Sequence, residues 1–318
     1  MAARKRKRKL SAKAQKRTIW SFLALLIVAF FAWSLETYGI PGQNAVPAGT
    51  SSSLGGEGTL RVWYADIGQA DCQLIQTPQG KNILIDAGEA ATGEELVQWL
   101  KAREVQELEA VIATHPHADH IGGMAEVIKA FPVGTFYMPR TADTQTPTTR
   151  VYEAMLEALS EKGIKISAVK GGMTLYEEEG LTLKSLAPLS DTYDDLNNYS
   201  IVSRLCYKNR SFLFTGDAET QVEKEILSSG ADVRADVLKC GHHGSETSTS
   251  AKFLKAVSPS AAVISCGAGN DYGHPDSAII KRLEKSKVSV YRTDTQGTIL
   301  ASCDGDTISF ETGLPGVK

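Results

Sequence analysis

Four side chains able to bind a metal ion fall within six consecutive residues, in the run His115-Pro-His117-Ala-Asp119-His120. An apolar stretch ending Val-Ile-Ala-Thr114 leads into the run, and Ile121-Gly122-Gly123 follows it, so the ligands sit on a strand-to-helix turn. A turn fans successive side chains around a point. His115 and His117 can then face one ion, and Asp119 and His120 a second beside it. Imidazole and carboxylate together suit Zn²⁺, Fe or Mn²⁺. Gly122 and Gly123 let the backbone approach closely and turn. Three of the chain's six histidines lie in this run, which makes a chance gathering of surface residues a poor account.

The rest of the chain supplies partners. Phe214-Thr-Gly216-Asp217 ends a strand with a carboxylate, which suits a ligand bridging two ions about 3.5–4 Å apart, although Gly-Asp alone is usually just a turn. Lys239-Cys-Gly-His242-His243-Gly-Ser245 puts two more histidines at another strand end. Tyr272-Gly-His274-Pro-Asp276 places the last in a loop entering a helix. Ligand-type residues recurring at strand ends and in such loops argue for one site.

These loops need a scaffold. Leu60–Ile67, Cys72–Thr77, Asn82–Asp86 and Glu109–Thr114 read as strands, with helices over Glu94–Ala102, Ile121–Ala130 and Arg150–Lys162. A second group follows: a hairpin of Ile201–Tyr207 and Ser211–Thr215, then strands Asp236–Lys239 and Ala261–Ser265. Its helices start at Glu219, near Ser250–Ala256 and at Ser277–Glu284. Strands, each group with its helices, predict an α/β protein built as a four-layer α/β/β/α sandwich over residues 59–318.

The first 58 residues differ in kind. Residues 1–18 form a basic tail, and Ile19–Leu35 is an unbroken apolar run of about 26 Å, near the thin end of a membrane span. Trp20, Trp33 and Tyr38 suit the interfaces. The expectation is a single-pass anchor over 19–38 in the cell membrane, with its N-terminus cytoplasmic and the body outside; a cleaved signal peptide is the alternative. Residues 39–58, with six Gly, two Pro and three consecutive Ser, read as a flexible linker. Nine Lys/Arg and no carboxylate lie in residues 1–35, so the remainder carries 25 cations against 37 carboxylates, a formal −12. An acidic body does not advertise broad nucleic-acid contact. Extended DNA contact needs a basic stripe; Lys165, Lys170 and Lys184 are candidates, each reading first as solvated surface. Five cysteines without zinc-ribbon spacing read as buried free thiols.

His-x-His-x-Asp-His with a later Gly-Asp and a distal His resembles the metallo-β-lactamase superfamily. Further segments resemble one branch of it, the extracellular hydrolase domain of ComEC-type competence proteins: Asp66-Ile-Gly-Gln69-Ala-Asp71, Asn198-Tyr-Ser200, Phe212-Leu-Phe-Thr-Gly-Asp217, Gly241-His-His-Gly-Ser245 and Tyr272-Gly-His-Pro275. The resemblance implies a standalone, membrane-anchored hydrolase of DNA or another phosphodiester. It implies two divalent ions, Zn or Mn. His115, His117 and Asp217 would hold the first, and Asp119, His120, Asp217 and His274 the second. Asp119, His242 and His243 would be catalytic; of the two histidines, one would be a ligand and the other a proton donor to the leaving oxygen. Asp66, Gln69, Asp71, Asn198, Ser200 and Ser245 would line the site. Ala70 departs from the branch, which has Gly there. No histidine lies between His120 and His242, where many members of the superfamily place another ligand, so the first ion has fewer protein ligands.

The expected chemistry is hydrolysis, since bound metal lowers the pKa of water from about 15.7 to about 7 and supplies hydroxide for attack. Hydroxide attacks carbon as readily as phosphorus. A surface hydrolase of a non-nucleic ester, lactone or amide is therefore the rival enzyme, and a non-catalytic DNA-capture module the rival from another class.

Overall fold

The computed structural model describes residues 58–317. The expected basic tail, anchor and nearly all of the linker lie outside the described residues. Among the described residues no helix is long and apolar enough to cross a membrane.

The chain lays down β1 (Leu60–Tyr64), β2 (Gln73–Gln76), β3 (Asn82–Ile85), β4 (Leu108–Ile112), β5 (Val133–Pro139) and β6 (Ile166–Val169) in a first sheet. β7 (Thr174–Glu178), β8 (Leu181–Ser185), β9 (Ser203–Tyr207), β10 (Arg210–Phe214), β11 (Val237–Lys239), β12 (Ala261–Ile264) and β13 (Ser289–Arg292) build a second. β14 (Thr298–Cys303) and β15 (Ile308–Leu314) return to the first, whose order is β15-β14-β1-β2-β3-β4-β5-β6. The second runs β13-β12-β11-β10-β9-β8-β7. Both sheets are mixed: β3 to β6 and β10 to β13 are parallel, and the other pairings are antiparallel.

Alternation along the strands makes the layers, because successive side chains point to opposite faces. In β1, Val62 and Tyr64 enter the core between the sheets while Trp63 faces outward. In β10, Phe212 and Phe214 point in and Leu213 out. The outer face of the first sheet is covered by α1 (Gly93–Lys101), α2 (Ala118–Ile121), α3 (Met124–Ala130) and α4 (Arg150–Glu161), through Leu96, Leu100, Val127 and Met155. The second is covered by α5 (Thr220–Ser229), α6 (Ala251–Val257) and α7 (Ser277–Lys285), through Ile226, Phe253, Leu254 and Leu283. A short α8 (Thr293–Gln296) precedes β14. Three apolar layers separate two sheets and two sets of helices, the arrangement the strand groups predict.

Two details depart from expectation. The helix expected over Ile121–Ala130 is broken into α2 and α3 at Gly122-Gly123. There the backbone is pressed against its neighbour: a Cβ on Gly122 would lie 2.3 Å from the Ala90 nitrogen. β5 to β8 are strands that the sequence reading does not include. β7 and β8 form an edge hairpin carrying Glu177, Glu178 and Lys184, and charge on an edge strand deters pairing with other chains. All five cysteines are free, and four are buried.

Candidate metal centre

Parallel strands that end side by side present their following loops at one edge, where α/β proteins gather ligands. β3 ends just before Asp86, β4 before His115, β10 before Asp217 and β11 before His242 and His243. Asp119, His120, Asp217 and His243 form a group whose ligand atoms all lie within 4.8 Å of one another. His120 Nε2 is 3.2 Å from Asp217 Oδ2 and 3.8 Å from Asp119 Oδ2. His243 Nε2 is 3.1 Å from Asp119 Oδ2 and 3.7 Å from Asp217 Oδ2. His120, Asp217 and His243 are buried, and Asp119 is half-buried.

The expectation gave His274 to this group, but the geometry gives it His243. The reason is backbone: His242 and His243 both take left-handed φ, at 50° and 52°, conformations that cost non-glycine residues about 1–3 kcal/mol each. Gly244 continues the turn at φ 83°, and a Cβ there would fall 2.6 Å from Pro275 Cβ. This tight turn drives His243 inward and leaves His242 at the pocket. His274 sits across from it, with their rings 5.7 Å apart.

His115 and His117 pair with each other, Nε2 to Nδ1 at 3.0 Å, and join no group of three ligands among the described residues. The neighbouring His120 ring, 4.1 Å from that of His115, turns its Nε2 to Asp217 instead. Ser200 takes that side: its Oγ lies 3.3 Å from His115 Nδ1 and accepts the Asp217 N–H at 3.0 Å.

The supporting shell contains residues the sequence did not single out. Buried Asp86 accepts from the Thr114 N–H and hydroxyl at 2.8 and 2.7 Å, and its Oδ2 is 2.8 Å from His120 Nδ1. That contact directs His120 Nε2 at the cluster. Lys239, 1% exposed, forms an ion pair with Asp71, also 1% exposed, and Asp71 Oδ1 lies 3.8 Å from His243 Nδ1. Asp71, Asp86 and His120 also cluster, but Lys239 and His120 already neutralise those carboxylates. That group is an ion-pair network. His243 Nδ1 is 3.0 Å from the Ser265 carbonyl, which fixes the ring.

Of the expected lining residues, Gln69 reaches the pocket, its Oε1 accepting the Gly267 N–H at 3.0 Å. Asp71 lies beneath it. Asn198 stands behind, accepting the Glu219 N–H at 3.2 Å, while its neighbour Asn197 lines the pocket. Ser245 bonds Thr247 at 3.2 Å, and Thr247 Oγ1 is 3.1 Å from His242 Nδ1. Asp66 is a correction: its N–H donates to Thr298 Oγ1 at 3.0 Å and its carbonyl accepts the Val317 N–H, which turns it toward the C-terminal segment. The pocket, about 280 Å³, is bounded by His117, Asp119, His242, His274 and Tyr272. Tyr272 carries no metal ligand and gave no signal in the sequence beyond its place in the His274 loop.

The charges balance among themselves. Burial opposes protonation of His120, yet Asp217 and Asp86 outweigh it and hold its pKa well above the ordinary value. Burial likewise opposes ionisation of Asp217, but His120 and His243 hold it well below the usual carboxylate range. Asp119 is also kept ionised: burial works against this, and the His243 contact and His120 overcome it. His115, buried beside His120, is held well below its ordinary value. A cation is the natural occupant of such a cluster. His120 Nε2 and Asp217 Oδ1 are buried with no hydrogen-bond partner, and both atoms are metal-ligand types, so the donor set fits a divalent ion.

Comparison with known proteins agrees with this geometry. The Metallo-beta-lactamase superfamily model matches residues 65–268. ComE operon protein 3 of Bacillus subtilis is 33% identical over 251 residues, covering 74% of this chain and 32% of that protein. Competence protein ComA of Neisseria gonorrhoeae is 30% identical over 264 residues, covering 82% and 33%. The chain thus spans about a third of the length of these curated relatives. Among solved structures, CmlA, a diiron β-hydroxylase from Streptomyces venezuelae, superposes with a TM-score of 0.50 at 12% identity over 75% of this chain and 53% of its own, a likeness of fold alone. The chain belongs to the metallo-β-lactamase superfamily and is homologous to these ComEC-type competence proteins.

Proposed function

We propose that the protein is a metal-dependent phosphodiesterase that cuts DNA, held at the outer face of the cell membrane by residues 19–38. The mutual proximity of Asp119, His120, Asp217 and His243 carries this reading, because it offers a divalent ion two carboxylates and two imidazoles beside an open pocket. The homology to competence proteins favours a DNA phosphodiester over other esters.

Asp119, His120, Asp217 and His243 would hold one ion, and His115 and His117, with Asp217 between, a second. When bound, Zn²⁺ or Mn²⁺ supplies Lewis acidity and lowers the pKa of water. Asp119, kept ionised and half-exposed, orients the attacking water. His242 is the proton donor to the leaving oxygen: Thr247 lies 3.1 Å from Nδ1, and Nε2 is left 3.8 Å from Asp217 Oδ2 in the pocket wall. His243, buried and held at both nitrogens, is a ligand in this scheme.

The test is hydrolysis of bis-p-nitrophenyl phosphate and labelled single-stranded DNA by Zn²⁺- or Mn²⁺-loaded protein, beside His117→Ala and His243→Ala. Cleavage lost in both variants is expected. A folded, metal-loaded protein that cuts neither substrate would sink the reading and move it to another ester or amide.

A further inference from the structure

We infer that a single-stranded nucleic acid lies along the groove between α6 and α7, entering the metal centre past Tyr272. The inference rests on the phosphodiester reading and adds the surface that would hold the strand.

The acidic body has a basic exception. α6 and α7 carry Lys252, Lys255, Lys281, Arg282 and Lys285 against one carboxylate, Glu284. Between the helices runs a groove of about 420 Å³ whose walls include Lys255, Arg282, Lys285, Ser258 and Ser286 and no acidic residue. The four lysines are exposed, and none forms an ion pair among the described residues. By contrast Lys170, a candidate from the sequence, is neutralised by Asp191.

Helix electrostatics explain only part of this charge. Lys255, Arg282 and Lys285 sit in last turns, where cations complement the negative end of the helix dipole. Lys252 is the second residue of α6, at the positive end, where the dipole disfavours it. Lys281, in the middle of α7, gains little either way. A polyanion lying across both helices would be stabilised by all of them.

The groove belongs to the same unit as the metal centre. α6 follows the loop of His242 and His243, and α7 follows His274-Pro275-Asp276. The Arg282 guanidinium donates to the Thr249 carbonyl at 2.6 Å, and Asp276 Oδ2 accepts the Glu246 N–H at 2.8 Å, tying the two loops and helices together. At the pocket mouth Tyr272 is 74% exposed and stacks on His274, with centroids 5.8 Å apart and planes inclined by 21°. Its free face suits a base, and an aromatic platform beside a basic groove is how single strands are held without sequence preference. An anionic membrane would also attract the lysines, but α6 and α7 present no exposed large hydrophobic residue to insert.

The experiment uses the full chain in detergent and a short labelled phosphorothioate oligonucleotide, which resists hydrolysis. Anisotropy is read across a salt series for the native protein and for Lys252→Gln/Lys255→Gln/Lys281→Gln/Lys285→Gln. The basic tail is common to both and cancels in the comparison. Two to four lost phosphate contacts lower the log–log salt slope by about 1.4–2.8, at about 0.7 per contact on a single strand. Tyr272→Ala, a second variant, weakens binding about fivefold or more by removing one stacked base. An unchanged slope overturns the proposal. So does loss of binding to phosphatidylglycerol vesicles with oligonucleotide binding intact, which assigns the surface to a membrane. Binding to a strand that is not cut gives its answer whether or not the protein hydrolyses phosphodiesters.

Discussion

Replacing Asp86 by Asn should cripple the metal centre without touching a ligand. Asp86 is buried at φ 59°, a left-handed conformation that Asn tolerates well, so the substitution adds little backbone strain. Its Oδ1 accepts the Thr114 N–H, and its Oδ2 faces both the Thr114 hydroxyl and His120 Nδ1 at 2.8 Å. With a carboxylate there, Nδ1 keeps its proton and the Nε2 lone pair is free for a metal. An Asn that keeps its carbonyl on the Thr114 N–H must point its NH₂ at His120 Nδ1, which moves the imidazole proton to Nε2 and removes that lone pair. The flipped Asn restores the His120 contact but sets NH₂ against the Thr114 N–H, leaving a buried donor unpaired. Loss of such a partner behind a ligand typically costs 10–100-fold in metal affinity, about 1.4–2.7 kcal/mol. Competition against a chromophoric chelator at neutral pH measures it, with circular dichroism to confirm the fold. An affinity within about threefold of native would mean that His120 is not oriented through Asp86, and the reasoning would fail.

His243→Ala should lose metal from the Asp119, His120, Asp217 cluster, whereas His274→Ala should keep that ion; metal content after gel filtration decides, and the reverse pattern restores the sequence expectation. Asp71→Asn should destabilise the protein by about 3–5 kcal/mol in urea, because it strands a buried Lys239, and Asp71→Leu/Lys239→Met should recover most of the loss. A single-substitution cost below about 1 kcal/mol contradicts this. Metal-stripped protein should be most stable near pH 6.5, the ordinary histidine value. Above that pH the raised pKa of His120 and of His243 makes their contribution fade as each folded-state pKa is passed. Below it the depressed pKa of His115 makes the unfolded chain take up the extra proton. Metal should abolish the alkaline decline, and a metal-stripped melting temperature that rises from about pH 6.5 to about pH 9 refutes the scheme. Titration with Zn²⁺ or Mn²⁺ should show phosphodiesterase activity only as a second equivalent binds; full activity at one equivalent contradicts it.

The ligand run was legible because its chemistry is local: four ligand residues within six on one turn leave few other readings. The sandwich was legible from strands such as Asn82–Asp86 and Glu109–Thr114, whose apolar runs are long enough to mark burial on both faces. What was hidden depends on distance and backbone. Lys239 ends a strand as any surface lysine does, and its partner Asp71 is 168 residues away. Asp86 reads as a turn residue after a strand until His120 is seen against it. The choice between His243 and His274 turns on two left-handed residues in succession, a conformation no spacing rule anticipates. Thr174–Ser185 is hard to read because its alternation is short: Leu181 and Leu183 face the core, but three glutamates and Lys184 interrupt the apolar pattern.

The buried lysine also bears on how an acidic protein could receive an acidic substrate. Four aspartates surround the histidine cluster, but they are not equivalent. Asp71 is neutralised by Lys239, and Asp86 is committed to Thr114 and His120. With the imidazoles neutral, Asp86, Asp119 and Asp217 leave a formal −3 around the pocket. One divalent ion would bring this to −1 and a second to +1. Were Lys239 absent, Asp71 would add a fourth carboxylate, and two ions would leave the site neutral. The lysine therefore raises the field of the filled site without occupying it. Of the two positions, the cluster with His243 has four mutually close ligands, while His115 and His117 join no group of three among the described residues and should fill last. Filling that weaker position would turn the pocket positive, and on the proposed function attraction of a phosphodiester, in a body of formal charge −12, would be tied to the second ion rather than the first.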